Sequence, residues 1–309
     1  MIVVLVASAS ALPTEVVATI EVSATGGAIT QVASNVAAVD GDDAVLSESI
    51  TMTAVGTGAV NQDAQNVGSV GPGSDDATVH QSVTLAAQGS SVNQNVGVGD
   101  ANILVGDGND ASVDQDIAMT ATATNGPVNQ IALNTAAWIG NRVNINQTAT
   151  IAGRSTNDVV NQVGINTATV FGNNARIYQN TTAAAIARGD VVQLFVNTAF
   201  GTGAGARYTQ VIMAGGNSTS ADVVQKGQNL ANLGLFQNNV RSNQSVLFSA
   251  VADEDITQQG TNFVTAGNNA VIGQEAGMSA NGADVTQIAQ NTGSAGNNFV
   301  ANQAIAFET

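Results

Sequence analysis

The sequence predicts an all-β fold, a β-solenoid of about nine two-halved coils, and three observations predict it. A Gln-centred unit recurs about every 32 residues. Within each unit the side chains alternate apolar and polar with a period of two, as strands do and helices do not. Gly and Asn cluster between these segments, and the 309 residues contain only three prolines, as expected where nearly every backbone N–H joins a sheet.

The repeat is seen first in a β-branched residue, a spacer and Gln, at Ile29/Gln31, Val60/Gln62, Val92/Gln94, Val128/Gln130, Val160/Gln162, Val191/Gln193, Val223/Gln225, Ile256/Gln258 and Val285/Gln287. The intervals between these glutamines are 31, 32, 36, 32, 31, 32, 33 and 29 residues. The long interval contains Gly97-Val98-Gly99-Asp100 and Gly106-Asp107-Gly108, which read as inserted loop residues. Four residues after the Gln stands an Asn, at Asn35, Asn66, Asn134, Asn166, Asn197, Asn229, Asn262 and Asn291; the third copy lacks it. A second Gln follows in most units, at Gln81, Gln115, Gln147, Gln179, Gln210, Gln244, Gln274 and Gln303, and the first unit has Glu48 instead. Each coil therefore has two similar halves.

Parity assigns the faces. Ala175, Ile177 and Gln179 share one face against Arg176 and Tyr178; Val143, Ile145 and Gln147 oppose Asn144 and Asn146; Ala77, Val79 and Gln81 oppose Thr78 and His80. The glutamines thus point inward with the aliphatic residues. A buried primary amide must satisfy two N–H donors and a carbonyl. Stacking places equivalent amides about 4.8 Å apart, where each donates to one neighbour and accepts from the other. Inward Gln/Asn ladders are the expected result, with register enforced because a one-residue slip would bury charged side chains.

Corners are expected at Gly140-Asn141, Gly172-Asn173-Asn174, Gly267-Asn268-Asn269 and Gly296-Asn297-Asn298, since Gly and Asn tolerate positive φ. Two domains follow: residues 1–25, an N-terminal β-strand segment that caps the solenoid or is donated to a neighbour, and residues 26–309, the solenoid. Ile2–Ala7 is an apolar run, Pro13 interrupts, and Ala18, Ile20, Val22 and Ala24 alternate with polar residues. Residues 281–309 read as an intact repeat without a cap, apolar from Val300 to Phe307, and an uncovered strand edge is a template for another chain.

Charged residues are 10% of the chain and the net charge is −16, with seven Lys and Arg. That balance argues against nucleic acid and anionic membranes. Without Cys there are no disulfides or thiolate metal sites. No apolar run reaches the roughly 18 residues of a membrane span. No phosphate-binding loop, zinc motif or nucleophile elbow is present, and the single His80 has outward parity, so no enzyme is expected. Trp138 shares parity with Asn134 and is expected to pack inside.

Asp190, Asp222, Asp255 and Asp284 each precede a Gln by three residues and should stack. They read as acidic corners capping backbone N–H groups or as a calcium-binding column. Four sequons, at Asn146, Asn180, Asn217 and Asn243, are glycosylation candidates, Asn217 foremost because Gly215–Ser220 reads as an exposed loop.

Part of the repeat resembles the curlin repeats of functional amyloid fibres. Asn173-Asn174-Ala175-Arg176-Ile177-Tyr178-Gln179 and Asn268-Asn269-Ala270-Val271-Ile272-Gly273-Gln274 match the Asn-x-Ala-x-x-x-Gln half. Gln162-Val163-Gly164-Ile165-Asn166, Gln225-Lys226-Gly227-Gln228-Asn229 and Gln258-Gln259-Gly260-Thr261-Asn262 look like the other half, shortened by one residue. Curlin repeats are markedly shorter than these units. The resemblance implies a secreted, cell-surface subunit that self-assembles head-to-tail into an extracellular filament of a biofilm matrix or appendage. The alternative is a β-solenoid adhesin or other surface-binding module, which needs a regular row of like side chains; Thr51, Thr53, Thr120 and Thr124 begin such rows, and later units do not continue them.

Overall fold

A computed structural model describes residues 2–8, 15–97, 102–233 and 238–309, the first of these as backbone. It is all-β and built of two parallel sheets that face each other. One, sheet A, contains β1 (Ile2–Ser8), β3 (Ile29–Val39), β5 (Val60–Val70), β7 (Val92–Val96) with β8 (Asn102–Asp107), β10 (Val128–Ile139), β12 (Val160–Phe171), β14 (Val191–Thr202), β16 (Val223–Asn232), β18 (Ile256–Thr265) and β20 (Val285–Ser294). Sheet B contains β2 (Glu15–Gly26), β4 (Val45–Gly56), β6 (Thr78–Gly89), β9 (Ser112–Ala123), β11 (Asn144–Ser155), β13 (Arg176–Ala187), β15 (Arg207–Ser218), β17 (Arg241–Val251), β19 (Val271–Asn281) and β21 (Val300–Glu308). The chain alternates between the sheets, so each consecutive pair of strands is one coil of a β-solenoid.

The Gln-bearing units supply nine of these coils, and the N-terminal segment supplies another beneath them. Ile2–Ser8 pairs in register with β3 of its own chain, Val3 opposite Gln31 and Ala7 opposite Asn35, and β2 pairs with β4, Ala18 opposite Glu48. Residues 9–14, including Pro13, lie outside the described residues.

The insertion is smaller than the sequence suggests. Asn102 stands opposite Asn134, the position the third copy was expected to lack. Only the residues between β7 and β8 are extra; Gly106 and Asp107 belong to β8 and register with Trp138 and Ile139. Four extra residues between Gln94 and Asn102 account for the interval of 36 instead of 32.

Corners repeat from coil to coil. Asp43, Asp76, Asp110, Arg142, Asn174, Asn239, Asn269 and Asn298 all have φ between 53° and 60°, a region Asn and Asp enter at lowest cost. Beside them a glycine column is forced by close approach: a Cβ on Gly172 would lie 1.8 Å from the carbonyl oxygen of Gly140. Pro72 and Pro127 sit outside the strands.

The core is divided into three apolar compartments. One contains Val39, Leu46, Trp138 and Tyr208, a second Ile50, Met52, Phe195 and Phe248, and a third Ile29, Val60, Val160 and Val191. Bulk is balanced by neighbouring glycines. Trp138 fills the space a side chain on Gly106 would need, and the Tyr208 hydroxyl lies 1.8 Å from where Gly201 would carry a Cβ. The Trp138 indole N–H donates to Gly108 O at 2.8 Å, which makes it the packing residue its parity predicts.

Candidate functional site

Polar columns separate the apolar compartments; the two Gln columns are continuous chains of amides, and the Asn column is broken once, between Asn66 and Asn102, whose Oδ1 is buried without a partner among the described residues. In sheet A the Gln62 side-chain N–H donates to Gln31 Oε1 at 2.7 Å, Gln94 to Gln62 at 2.9 Å and Gln130 to Gln94 at 2.8 Å. The same link joins Gln162, Gln193, Gln225, Gln258 and Gln287, each to the coil before it. Sheet B carries a second column from Gln81 through Gln115, Gln147, Gln179, Gln210, Gln244 and Gln274 to Gln303, donating in the same direction. The Asn column runs the opposite way: Asn35 donates to Asn66 Oδ1 at 3.0 Å, and Asn102 to Asn134 at 3.1 Å. Asn134, Asn166, Asn197, Asn229 and Asn262 continue it to Asn291.

The second amide hydrogen is also used. Gln130 donates to Ala152 O and Gln147 to Thr167 O, both carbonyls of the facing sheet. The ladders therefore tie the two sheets together as well as each coil to the next. Fifteen of the seventeen ladder glutamines are buried, the exceptions being Gln287 and Gln303 of the final coil.

Glu48 occupies a ladder position. Its Oε2 accepts from Gln81 Nε2 at 2.6 Å, while Oε1 is buried without a partner among the described residues. Burial pushes its pKa up to about 7, against the opposing effect of the Gln81 hydrogen bond. A neutral carboxyl suits the column better than a carboxylate, because only the protonated form has a hydrogen to donate as well as an oxygen to accept, as the glutamine amide does.

The two ends of the stack differ. Val16, Ile20, Val22 and Ala24 of the first coil are 4–6% exposed. In the last coil Gln303 is exposed, and Ile305 and Phe307, on the inward face with it, are 48% and 51% exposed. No described group donates to Gln287 Oε1 or Gln303 Oε1.

The remaining expected sites are placed as follows. Asp222 N donates to Asp190 Oδ1 and Asp255 N to Asp222 Oδ1, so this column caps backbone N–H groups of successive corners. The carbonyl of Asp284 accepts from Ile256 N. Among the described residues no group of three or more His, Cys, Asp or Glu is arranged to hold a metal ion. Asn217 is exposed, but it is the penultimate residue of strand β15 instead of lying in a loop: Ser218 Oγ donates inward to Gly189 O at 2.9 Å, holding the strand to its last residue. Asn146 and Asn180 are half-buried, Asn243 is exposed, and His80 is exposed on sheet B. Among the described residues no helix is long and apolar enough to cross a membrane.

Sequence reasoning missed one column. Arg176, Arg207 and Arg241 open successive strands of sheet B and stand in direct register. Their spacings of 31 and 34 residues carry no obvious signal until the coil lengths are known.

Fold and ladders together define the class: a two-sheet parallel β-solenoid with an amide-laddered core. No family model, no curated protein and no solved structure matches the chain. The likeness to curlin repeats rests on its motif residues alone.

Proposed function

We propose that this protein is a structural subunit of an extracellular filament, polymerising head-to-tail through its end coils. The observation that carries the reading is the final coil. Its inward side chains Ile305 and Phe307 lie about half exposed. Strands β20 and β21 offer parallel edges in the arrangement that binds each coil to the next throughout the molecule. A second copy seating its first coil there extends both sheets. This contact joins unlike surfaces, and such contacts propagate into open filaments. The first coil places Val3, Ala7 and Ala18 on the ladder columns, so the junction is held by backbone pairing and apolar contact, with the amide ladders interrupted once per subunit.

Secretion to the cell surface belongs to this reading through the curlin resemblance, as does a role in a biofilm matrix. Sedimentation velocity of the purified chain over a wide concentration range tests assembly. The expected result is a growing series of oligomers that Ile305→Lys abolishes. A dimer that saturates and grows no further would replace the filament with a closed pair, and a monomer at every concentration would remove self-assembly altogether.

A further inference from the structure

From the register of sheet B, we infer that Arg176, Arg207 and Arg241 form a binding row for an acidic polysaccharide, one bearing a carboxylate on each sugar. The inference is independent of polymerisation.

The row is unusual for this chain. Only seven residues are Lys or Arg against 23 Asp and Glu, yet three of the seven stand on adjacent coils at one strand position. Adjacent coils are about 4.8 Å apart, where three like charges repel one another. All three side chains are exposed. None makes a side-chain hydrogen bond or ion pair with a described residue, whereas neighbouring Arg142 is paired with Asp110. With 23 acids available, partners for the row are not scarce in composition; Asp110, the acid that lines the adjoining cleft, is taken by Arg142.

The shape beside it is concave. A cleft of about 390 Å³ is lined by Asp110, Arg142, Asn144, Asn174, Arg176 and Arg207. Two positions further along the strand, on the same outward face, Tyr178 is 42% exposed and is followed by Thr209 and Asn243 on the next coils. Guanidinium groups receive carboxylates through paired N–H donors. An aromatic face next to a hydrogen-bonding row suits a sugar ring and its hydroxyls. The row runs along the solenoid axis, so its ligand is linear, with charges repeating on the scale of the coils. A carboxylated polysaccharide meets these conditions. The net charge of −16 opposes any polyanion, but nucleic acid is the poorer fit because single strands are held by stacking successive bases on aromatic side chains, and the outward row beside the arginines runs from Tyr178 to Thr209 and Asn243.

Binding of the full chain to polygalacturonate, neutral dextran and single-stranded oligo-dT, followed by biolayer interferometry, tests the inference. Polygalacturonate should bind, dextran should not, and oligo-dT should bind at least tenfold more weakly. The triple change Arg176→Gln, Arg207→Gln and Arg241→Gln should weaken polygalacturonate binding tenfold or more. Arg154→Gln with Arg188→Gln, both away from the row, should leave it within twofold. The triple variant should melt at the same or a higher temperature than the parent, since like charges have been removed; this keeps a binding loss from being ascribed to unfolding. Equal losses in the two variants, tighter binding of oligo-dT, or no binding to polygalacturonate by the parent chain would each overturn the proposal.

Discussion

The first and last coils are built on the same plan and differ in how well their inward faces are covered. In the first, Val3, Ala7 and Ala18 stand in register with the three ladder columns, and Val16, Ile20, Val22 and Ala24 of β2 are nearly fully covered while Ala18 is half-buried. In the last, the columns still carry Gln287, Asn291 and Gln303, and the inward apolar residues beside Gln303 stand open to solvent. The first coil carries no amide at the ladder positions, and the last carries one at each. A ladder amide is fully satisfied only when it has neighbours on both sides, so the same residue type should contribute more in the middle of the stack than in its last coil.

The largest effect should come from breaking a ladder in its middle. Gln147→Leu leaves the Gln179 donor and the Gln115 acceptor unpaired in the core, at a cost of about 2–6 kcal/mol for two buried unsatisfied groups. Gln303→Leu removes the terminal donations to Gln274 Oε1 and Asn291 O at an end where water can replace them, and should cost about 1 kcal/mol or less. Chemical denaturation of both variants checks the contrast; equal losses would mean that the ladders are not cooperative along the stack.

Glu48 provides the next test, beside the first coil. Its folded pKa of about 7 lies above the ordinary carboxylate value of 4.5, so the folded chain binds more protons than the unfolded one between these limits. Its contribution is fully present below about pH 4.5 and is lost as pH rises through about 7. The shift corresponds to about 3 kcal/mol at most. Glu48→Gln should remove this pH dependence and stabilise the protein above pH 7, as read from melting temperatures between pH 4 and 9. Unchanged pH dependence would mean that Glu48 is already ionised in the fold.

Smallest in stability, though decisive for assembly, is Phe307→Lys. A side chain already half exposed gives up little burial, so the melting temperature should move by no more than about 2 °C, an effect within about 0.5 kcal/mol. Self-association should nevertheless be lost. Ile20→Lys in the covered first coil should instead destabilise by about 2–4 kcal/mol, since it buries an unpaired charge.

Much of this was legible in the sequence because a strand has a period of two and a coil has a nearly constant length. The ladder glutamines, the inward Trp138 and the outward His80 all follow from those two facts. Asn102 was hidden because four extra residues displace it from its Gln, and only strand pairing restores the column. The first coil was hidden because it carries no ladder amide. Glu48 showed as a broken repeat, but its lifted pKa depends on burial that no pattern reports. The arginine row needed the register of three coils of unequal length.

Electron microscopy of assembled protein tests the central claim most directly. Ten stacked rungs per sheet, at about 4.8 Å each, predict filaments with an axial repeat of roughly 48 Å and sheets running continuously through the junctions. Discrete particles of one or two subunits at every concentration would contradict it.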